Sequence, residues 1–163
     1  MKIAIVSDVH DHINHLLLAL ATADEAGCER MIFLGDMVHS STFTLLTEEW
    51  KKPLDLVFGN NEYEIEAFHA IATAAPHVTL HGNYGAVTIG SRRLFFCHLP
   101  SIARQAVETG RFDAVFYGHT HCADSRMSGT TLLVNPGEVF GRQSRPGIGV
   151  YDTDSGQFFH FPI

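Results

Sequence analysis

The chain is poor in basic residues and in cysteine, and it has no long apolar run. Lysine and arginine together number 11 against 18 aspartate and glutamate, a formal net charge of −7. Surfaces that hold nucleic acid without regard to sequence are basic, so no extensive nucleic-acid binding is expected. A local phosphate site stays open, because bound cations do not enter that count. The three cysteines, Cys28, Cys97 and Cys122, form no CxxC pair. Few thiols in odd number suit a reducing compartment better than a disulfide framework, and a cytoplasmic location is expected. The first apolar stretch runs only from Ile3 to Val6 before Asp8 interrupts it. A secretory leader needs a longer apolar region and a membrane span needs ~20 residues; neither is expected, and no membrane partner follows.

Histidine is plentiful, with 11 residues, as many as Lys and Arg combined. Imidazole is the commonest protein metal ligand. The 163 residues, 45% of them hydrophobic, suit one domain over residues 1–163 with a core of its own. No repeat, low-complexity tract or linker divides them.

Five apolar runs each end in a polar residue able to bind a metal. IAIVS runs into Asp8-Val9-His10, MIFLG ends on Asp36, and LDLVFG ends on Asn60. RLFFC ends on His98, and AVFYG ends on His119-Thr120-His121. Short apolar runs bounded by Gly or charge read as buried strands. In an open α/β sheet the carboxyl ends of parallel strands share one edge, where ligands bind. The pattern therefore brings donors from five separate segments to one crevice. Asp8 and His10 are two residues apart, as are His119 and His121, and residues i and i+2 of a strand point the same way. Two carboxylates, one amide and four imidazoles without thiolate suit Mn, Fe, Zn, Co or Ni better than Ca.

The rest of the chain sets these runs in order. Strands are expected at 2–7, 31–34, 54–58 and 113–117, with helices at 12–27, 42–50 and 62–75. Ile13, Leu16, Leu17, Leu20 and Ala23 form the apolar stripe of the first helix, and Glu62, Glu64 and Glu66 sit at the positive end of the third. The 42–50 segment reads as a lid or an interface helix. The second half is strand-rich, at 78–80, 85–89, 92–97, 122–127, 131–134, 147–151 and 157–161, with a short helix at 102–108. Helix–strand alternation followed by a strand-rich half suggests two packed sheets with helices outside.

Taken together, D-V-H, G-D, G-N-N-E, a strand-end His and G-H-T-H resemble, in order and spacing, the calcineurin-like metallophosphoesterases. The similarity is to their small, cap-less branch, the YfcE- and MJ0936-type phosphodiesterases. It runs from Met1 to about Tyr151 and includes the late turn Asn135-Pro136-Gly137. The resemblance implies a four-layer α/β/β/α sandwich of two mixed sheets flanked by helices. It also implies two divalent metal ions, manganese foremost, with Fe, Ni, Co or Zn as alternatives. Asp8, His10, Asp36 and His121 would hold one ion, and Asp36, Asn60, His98 and His119 the other. Asp36 and a hydroxide would bridge them, and His10, Asp36 and Asn61 would form the catalytic set. The implied activity is hydrolysis of small phosphodiesters. Two dications, less two carboxylates and one hydroxide, leave net positive charge for a phosphodiester anion within an acidic protein.

Three departures from the family pattern matter. The family's G-N-H-[DE], whose His helps protonate the leaving oxygen, is here Gly59-Asn60-Asn61-Glu62. Asn cannot deliver a proton near neutral pH, so good leaving groups and diesters are expected to be preferred. The usual H-G-H is His98-Leu99-Pro100, and the branch's N-P-G-S carries Glu138 in place of Ser. Glu138 is expected to face the cleft and select against dianionic substrates. Candidate substrate contacts are Asn61, His12, Arg142 and Arg145. His12 and His15 also read as surface residues of a helix, and the two arginines as solvated loop residues. His39 stands between pocket wall and solvent, and His69, His77, His81 and His160 read as surface. Cys97 and Cys122 read as core.

Two other functions compete. One is a non-catalytic interaction scaffold on the same fold, as in the retromer subunit Vps29; a full set of seven ligand positions weighs against it. The other is a phosphomonoesterase or protein phosphatase, against which Asn61 and the absence of insertions weigh. Small members of the branch suggest a homodimer or homotetramer.

Overall fold

A computed structural model describes all 163 residues. β1 (Lys2–Val6), β2 (Arg30–Phe33), β3 (Leu54–Leu56) and β4 (Val78–Leu80) pair side by side in parallel. β10 (Gly147–Asp152) runs antiparallel beside β1, and β11 (Gln157–Pro162) antiparallel beside β10. The first sheet therefore has the order β11-β10-β1-β2-β3-β4. The second has the order β5-β6-β7-β9-β8. Its members are β5 (Tyr84–Ile89), β6 (Arg92–Cys97), β7 (Ala114–Phe116), β8 (Asp124–Ser128) and β9 (Thr131–Asn135). Here β6, β7 and β9 are parallel, with antiparallel strands at each edge.

Three hydrophobic cores glue four layers together. Between the sheets lie Ile3, Ile5, Ile32, Leu34 and Val57, facing Leu94, Phe96, Phe116 and Val134. The alternate residues of the first sheet, Ala4, Val6, Met31 and Phe33, turn outward onto α1 (Ile13–Glu25), α2 (Ser40–Glu49) and α3 (Ile65–Ala74). Phe95, Cys97, Val115 and Leu133 turn outward onto α4 (Pro100–Glu108). Period-2 alternation of strand side chains makes both faces of each sheet apolar. The result is the expected α/β/β/α sandwich. No helix is long and apolar enough to cross a membrane.

Local departures from the sequence expectation have physical causes. α1 buries Leu16, Ala19, Leu20 and Ala23, but Ile13 and Leu17 stay largely exposed at the edge of the stripe. α2 packs one face onto the first sheet: Phe43, Leu46 and Trp50 at its end are buried in the helix-side core. α3 starts at Ile65 rather than Glu62, because Glu62 is drawn inward to accept hydrogen bonds from Met37 N and Gly59 N, each at 2.7 Å. Cys122 precedes β8 in a turn and is exposed, so its reading as core is corrected. His81 is not a free surface residue, since its Nε2 lies 2.8 Å from the buried Asp55.

Candidate metal centre

The carboxyl ends of β1, β2 and β3 from one sheet meet those of β6, β7 and β9 from the other. Contrary to the two-residue spacing, Asp8 and His10 do not lie on an extended strand. β1 ends at Val6, and the chain then turns: Asp8 has φ 56, His10 φ 45, Asp36 φ 60, His119 φ 68 and His121 φ 59. Five of the seven candidate ligands thus sit in the left-handed region, which costs non-glycine residues about 1–3 kcal/mol each at functional sites. The strain is held by stitching between loops: Asp8 N donates to Gly35 O, and Val9 N and His10 N both donate to Asp36 O. The turns aim alternate side chains at one point where a strand would have carried them past it.

Asp8, His10, Asp36 and His121 bring one ligand atom each to within 4.8 Å of one another. His121 Nε2 lies 3.3 Å from Asp8 Oδ1, and His10 Nε2 3.5 Å from Asp36 Oδ2. Asp8 Oδ2 already accepts hydrogen bonds from Ser7 Oγ and His119 N. Asp8 Oδ1 and His10 Nε2 are buried with no hydrogen-bond partner. A buried orphan carboxylate oxygen facing an orphan imidazole nitrogen fits a cation between them, since buried polar atoms are otherwise paired.

The remaining candidate ligands form a second group about the same Asp36 oxygen. His98 Nε2 is 3.4 Å from Asp36 Oδ2 and 3.0 Å from Asn60 Oδ1. His119 Nδ1 is 2.8 Å from Asn60 Oδ1. His98 Nδ1 faces Leu34 O at 2.8 Å; a carbonyl can only accept, so Nδ1 donates and Nε2 keeps its lone pair for a metal. The other Asp36 oxygen, Oδ1, accepts from Asn60 N and Asn61 N at 2.8 and 3.0 Å. Oδ2 is thereby left between the two groups. Asp8, Asp36, His98 and His121 are buried, whereas Asn60 and His119 are exposed, so the centre opens on the second side.

Electrostatics point the same way. Burial pushes the Asp36 carboxyl up, but the hydrogen bond and charge of His98 and the Asn61 and Asn60 donors outweigh it and hold it well below the usual carboxylate range. Contact with Asp8 raises the His10 imidazole against its burial. Burial lowers His98, yet the Asp36 and Asp8 carboxylates prevail and raise it. The carboxylates call for positive charge, which divalent ions would supply without protonating any ligand.

Glycine supplies the room. A Cβ on Gly59 would collide with the Asp36 carboxylate, and one on Gly118 with Ser7 Oγ and the Asp8 carboxylate. Both glycines are places where backbone passes against a ligand.

Two supporting residues escaped the sequence argument. Asn135, fully buried at the end of β9, donates from Nδ2 to Gly118 O and Thr120 Oγ1, both at 2.9 Å, and so fixes the G-H-T-H turn. Glu138 does not face the cleft; that expectation is corrected. Its side chain is fully buried, with Oε2 2.5 Å from His121 Nδ1. The signal available was a sixth strand end carrying polar residues, read only as a turn.

The candidate substrate contacts ring the centre unevenly. Asn61 Nδ2 donates to Asp36 Oδ2 at 2.6 Å, so its amide meets the shared carboxylate. His12 caps α1, its Nδ1 accepting from His15 N at 3.3 Å, and is half-buried. His15 Nδ1 bonds the carbonyls of Val139 and Phe140, so it is a clip between segments rather than a surface residue. Phe140 in turn packs on His10 and His12. Arg142 and Arg145 are exposed on the following loop and form no ion pair. His39 is exposed and its Nδ1 meets Asp11.

Residues 1–156 match the model of the calcineurin-like phosphoesterase superfamily domain. The chain is 29% identical to phosphodiesterase MJ0936 of Methanocaldococcus jannaschii over 162 residues, covering 97% of this chain and 96% of that one. A solved archaeal phosphodiesterase superposes with a TM-score of 0.92 at 26% identity over 100% of both chains. Vps29 of Entamoeba histolytica, solved as a complex with zinc, superposes at 0.70 with 14% identity, over 100% of this chain and 98% of that one, a likeness of fold alone. With the sandwich and the strand-end Asp–His cluster in place, and the domain match spanning nearly all of its length, the chain belongs to the calcineurin-like phosphoesterase superfamily, in the small branch that includes the MJ0936-type phosphodiesterases.

Proposed function

We propose that this protein hydrolyses phosphodiester bonds with a pair of divalent ions, manganese foremost. The observation that carries the reading is the placement of one oxygen, Asp36 Oδ2, 3.5 Å from His10 Nε2 and 3.4 Å from His98 Nε2. One carboxylate shared by two imidazole-bearing groups suits two ions better than one. Asp8, His10, Asp36 and His121 would hold the first; Asp36, Asn60, His98 and His119 the second. Such a pair would supply Lewis acidity and a water activated near neutral pH as the nucleophile for phosphorus.

The chain's own residues do the rest. Asp36 keeps its carboxylate ionised across the physiological range and aligns it through the Asn60 and Asn61 amides. The exposed side, at Asn60 and His119, admits the phosphodiester. Asn61 offers an amide to the shared oxygen and no titratable proton, so the leaving group must depart without a strong acid from this position. That favours diesters with stable leaving anions over alkyl monoesters. Arg142 and Arg145 supply charge at the rim, and His12 a polar edge beyond Phe140.

The test is hydrolysis of bis(p-nitrophenyl) phosphate by chelator-stripped protein, with Mn²⁺, Ni²⁺, Zn²⁺, Co²⁺ or Mg²⁺ returned, beside Asp36→Asn. Metal-dependent turnover abolished by Asp36→Asn is expected. A folded protein without turnover under any of the metals would refute the reading and leave the scaffold alternative.

A further inference from the structure

Glu138 is a fully buried carboxylate with four acceptor sites and three donors around it. Oε2 is 2.5 Å from His121 Nδ1, and Oε1 accepts from Gln143 N at 2.5 Å and Ser144 N at 2.7 Å. Ser144 Oγ closes the loop by donating to His121 O at 2.7 Å. The backbone of the same residue is also engaged: Gly147 N donates to Glu138 O as β10 begins. One side chain therefore joins His121, from the turn after β7, to the 141–146 loop that carries Arg142 and Arg145.

A carboxylate can only accept, so His121 Nδ1 must donate. That leaves the lone pair on Nε2, the atom that faces Asp8 Oδ1 at 3.3 Å. We infer that Glu138 is a positioning residue that fixes the Nδ1-protonated form of His121 for metal ligation and locks the arginine-bearing loop to the same ligand. The inference rests on the metal reading proposed above. Serine at the same backbone position would be too short to span these groups.

Glu138→Gln separates orientation from shape. Both backbone donors, Gln143 N and Ser144 N, point at Oε1, so the amide oxygen of a glutamine must take that place. The NH₂ then falls at Oε2 and faces His121 Nδ1, which can satisfy it only by accepting. The ring proton moves to Nε2 and the imidazole no longer offers a lone pair to an ion. The substitution conserves volume and removes the ligand by tautomer alone.

Two measurements on the full chain test this. Nitrogen NMR of the imidazoles in metal-free protein should show His121 protonated at Nδ1, and at Nε2 in E138Q. Calorimetric titration of chelator-stripped protein with Mn²⁺ should show one of two binding steps weakened about 10–100-fold in E138Q, as for lost carboxylate–histidine pairs, with the other changed less than about threefold. Wild-type protein binding two ions, with E138Q titrating identically and its His121 tautomer unaltered, would overturn the inference while leaving the metal reading intact. Wild-type protein binding no Mn²⁺ would overturn both. Should E138Q fail to fold, the wild-type spectrum decides: an Nε2-protonated His121 overturns the inference, and an Nδ1-protonated ring supports it.

Discussion

Gly59→Ala probes how tightly the shared carboxylate is held. A Cβ at residue 59 would sit 2.5 Å from Asp36 N and 2.9 Å from Asp36 Cγ, and closer still to Oδ1. Ordinary contact begins near 3.4 Å, so the Asp36 backbone must yield by roughly 1 Å. It is not free to do so, because Asp36 O is bonded by Val9 N and His10 N. Overpacking of this size costs about 1–3 kcal/mol. Gly59 has no positive φ, so alanine adds no conformational strain and returns about 0.4–1 kcal/mol through the unfolded chain. The net expectation is a loss of about 1–2 kcal/mol in urea unfolding. Metal binding should suffer more, since a displacement near 1 Å in a reacting constellation costs about 10²-fold. Asp36 Oδ2 serves both groups of ligands, so both calorimetric Mn²⁺ steps should weaken. Gly82→Ala is the control: its φ is +78 and nothing lies within 4 Å of its Cβ. It should lose about 1 kcal/mol from left-handed strain alone and bind Mn²⁺ as wild type does. Gly59→Ala with unaltered Mn²⁺ binding would refute the claim that glycine there makes room for the ligand.

Other perturbations address separate parts of the molecule. Asn61→His should restore an acid beside the centre and raise hydrolysis of alkyl-leaving-group esters by about 10²-fold, with p-nitrophenyl diesters changed by less than about threefold; equal gains on both would contradict the leaving-group argument. Asp55 is buried and bonded by Arg30 Nε at 2.6 Å and His81 Nε2 at 2.8 Å. Burial pushes its carboxyl up, but the His81 and Arg30 bonds win and lower it. Its stabilisation is therefore full above the unfolded value of about 4 and lost as pH falls through the lower folded value. Asp55→Asn should cost about 2–3 kcal/mol at neutral pH, below the 3–5 of a wholly buried pair because Arg30 is 26% exposed. The gap between variant and wild type in urea midpoints should narrow below about pH 4, and a constant gap would refute the assignment. Burial pushes Cys28 and Cys97 up to about 11 and about 12, while Cys122 is exposed. A thiol reagent should therefore modify one cysteine in the native protein and three after denaturation; two fast native thiols would contradict the packing.

Much of the candidate centre was readable because each candidate ligand follows an apolar run, and a buried strand must surface where its run ends. Asp8, Asp36, Asn60, His98 and His119 fall within a few residues of the last buried strand position. The family pattern then told which ends converge, something periodicity alone cannot do. What stayed hidden depends on tertiary contact. Nothing local in D-V-H or G-H-T-H announces left-handed backbone at His10 or His121; the first turn is held by the Gly35 and Asp36 carbonyls and the second by Asn135 and Ser144, all from other segments. Glu62 and Glu138 look like surface acids in sequence, yet Glu62 is half-buried and Glu138 fully buried, because amides at 37, 59, 143 and 144 need an acceptor. Asp55 was legible as an anomaly, a charge within LDLVF, but its partners Arg30 and His81 come from neighbouring strands. Cys122 was misplaced because alternation was applied where no strand exists.

The buried and open sides of the centre follow from the way two sheets share it. Asp8, Asp36, His98 and His121 are buried where the carboxyl ends of the two sheets' strands meet. Asn60 and His119, in the loops after β3 and β7, reach the surface. Both carboxylates therefore lie at the protected end, and neutral ligands line the mouth. A phosphodiester anion approaching the exposed side would meet the Asn60 amide and the His119 imidazole. The net charge of −7 is thus no obstacle to an anionic substrate. Asp8 and Asp36 are buried, and Glu62 and Glu138 accept from backbone amides. Charge placement, rather than charge total, is what makes an acidic chain able to receive a phosphate ester.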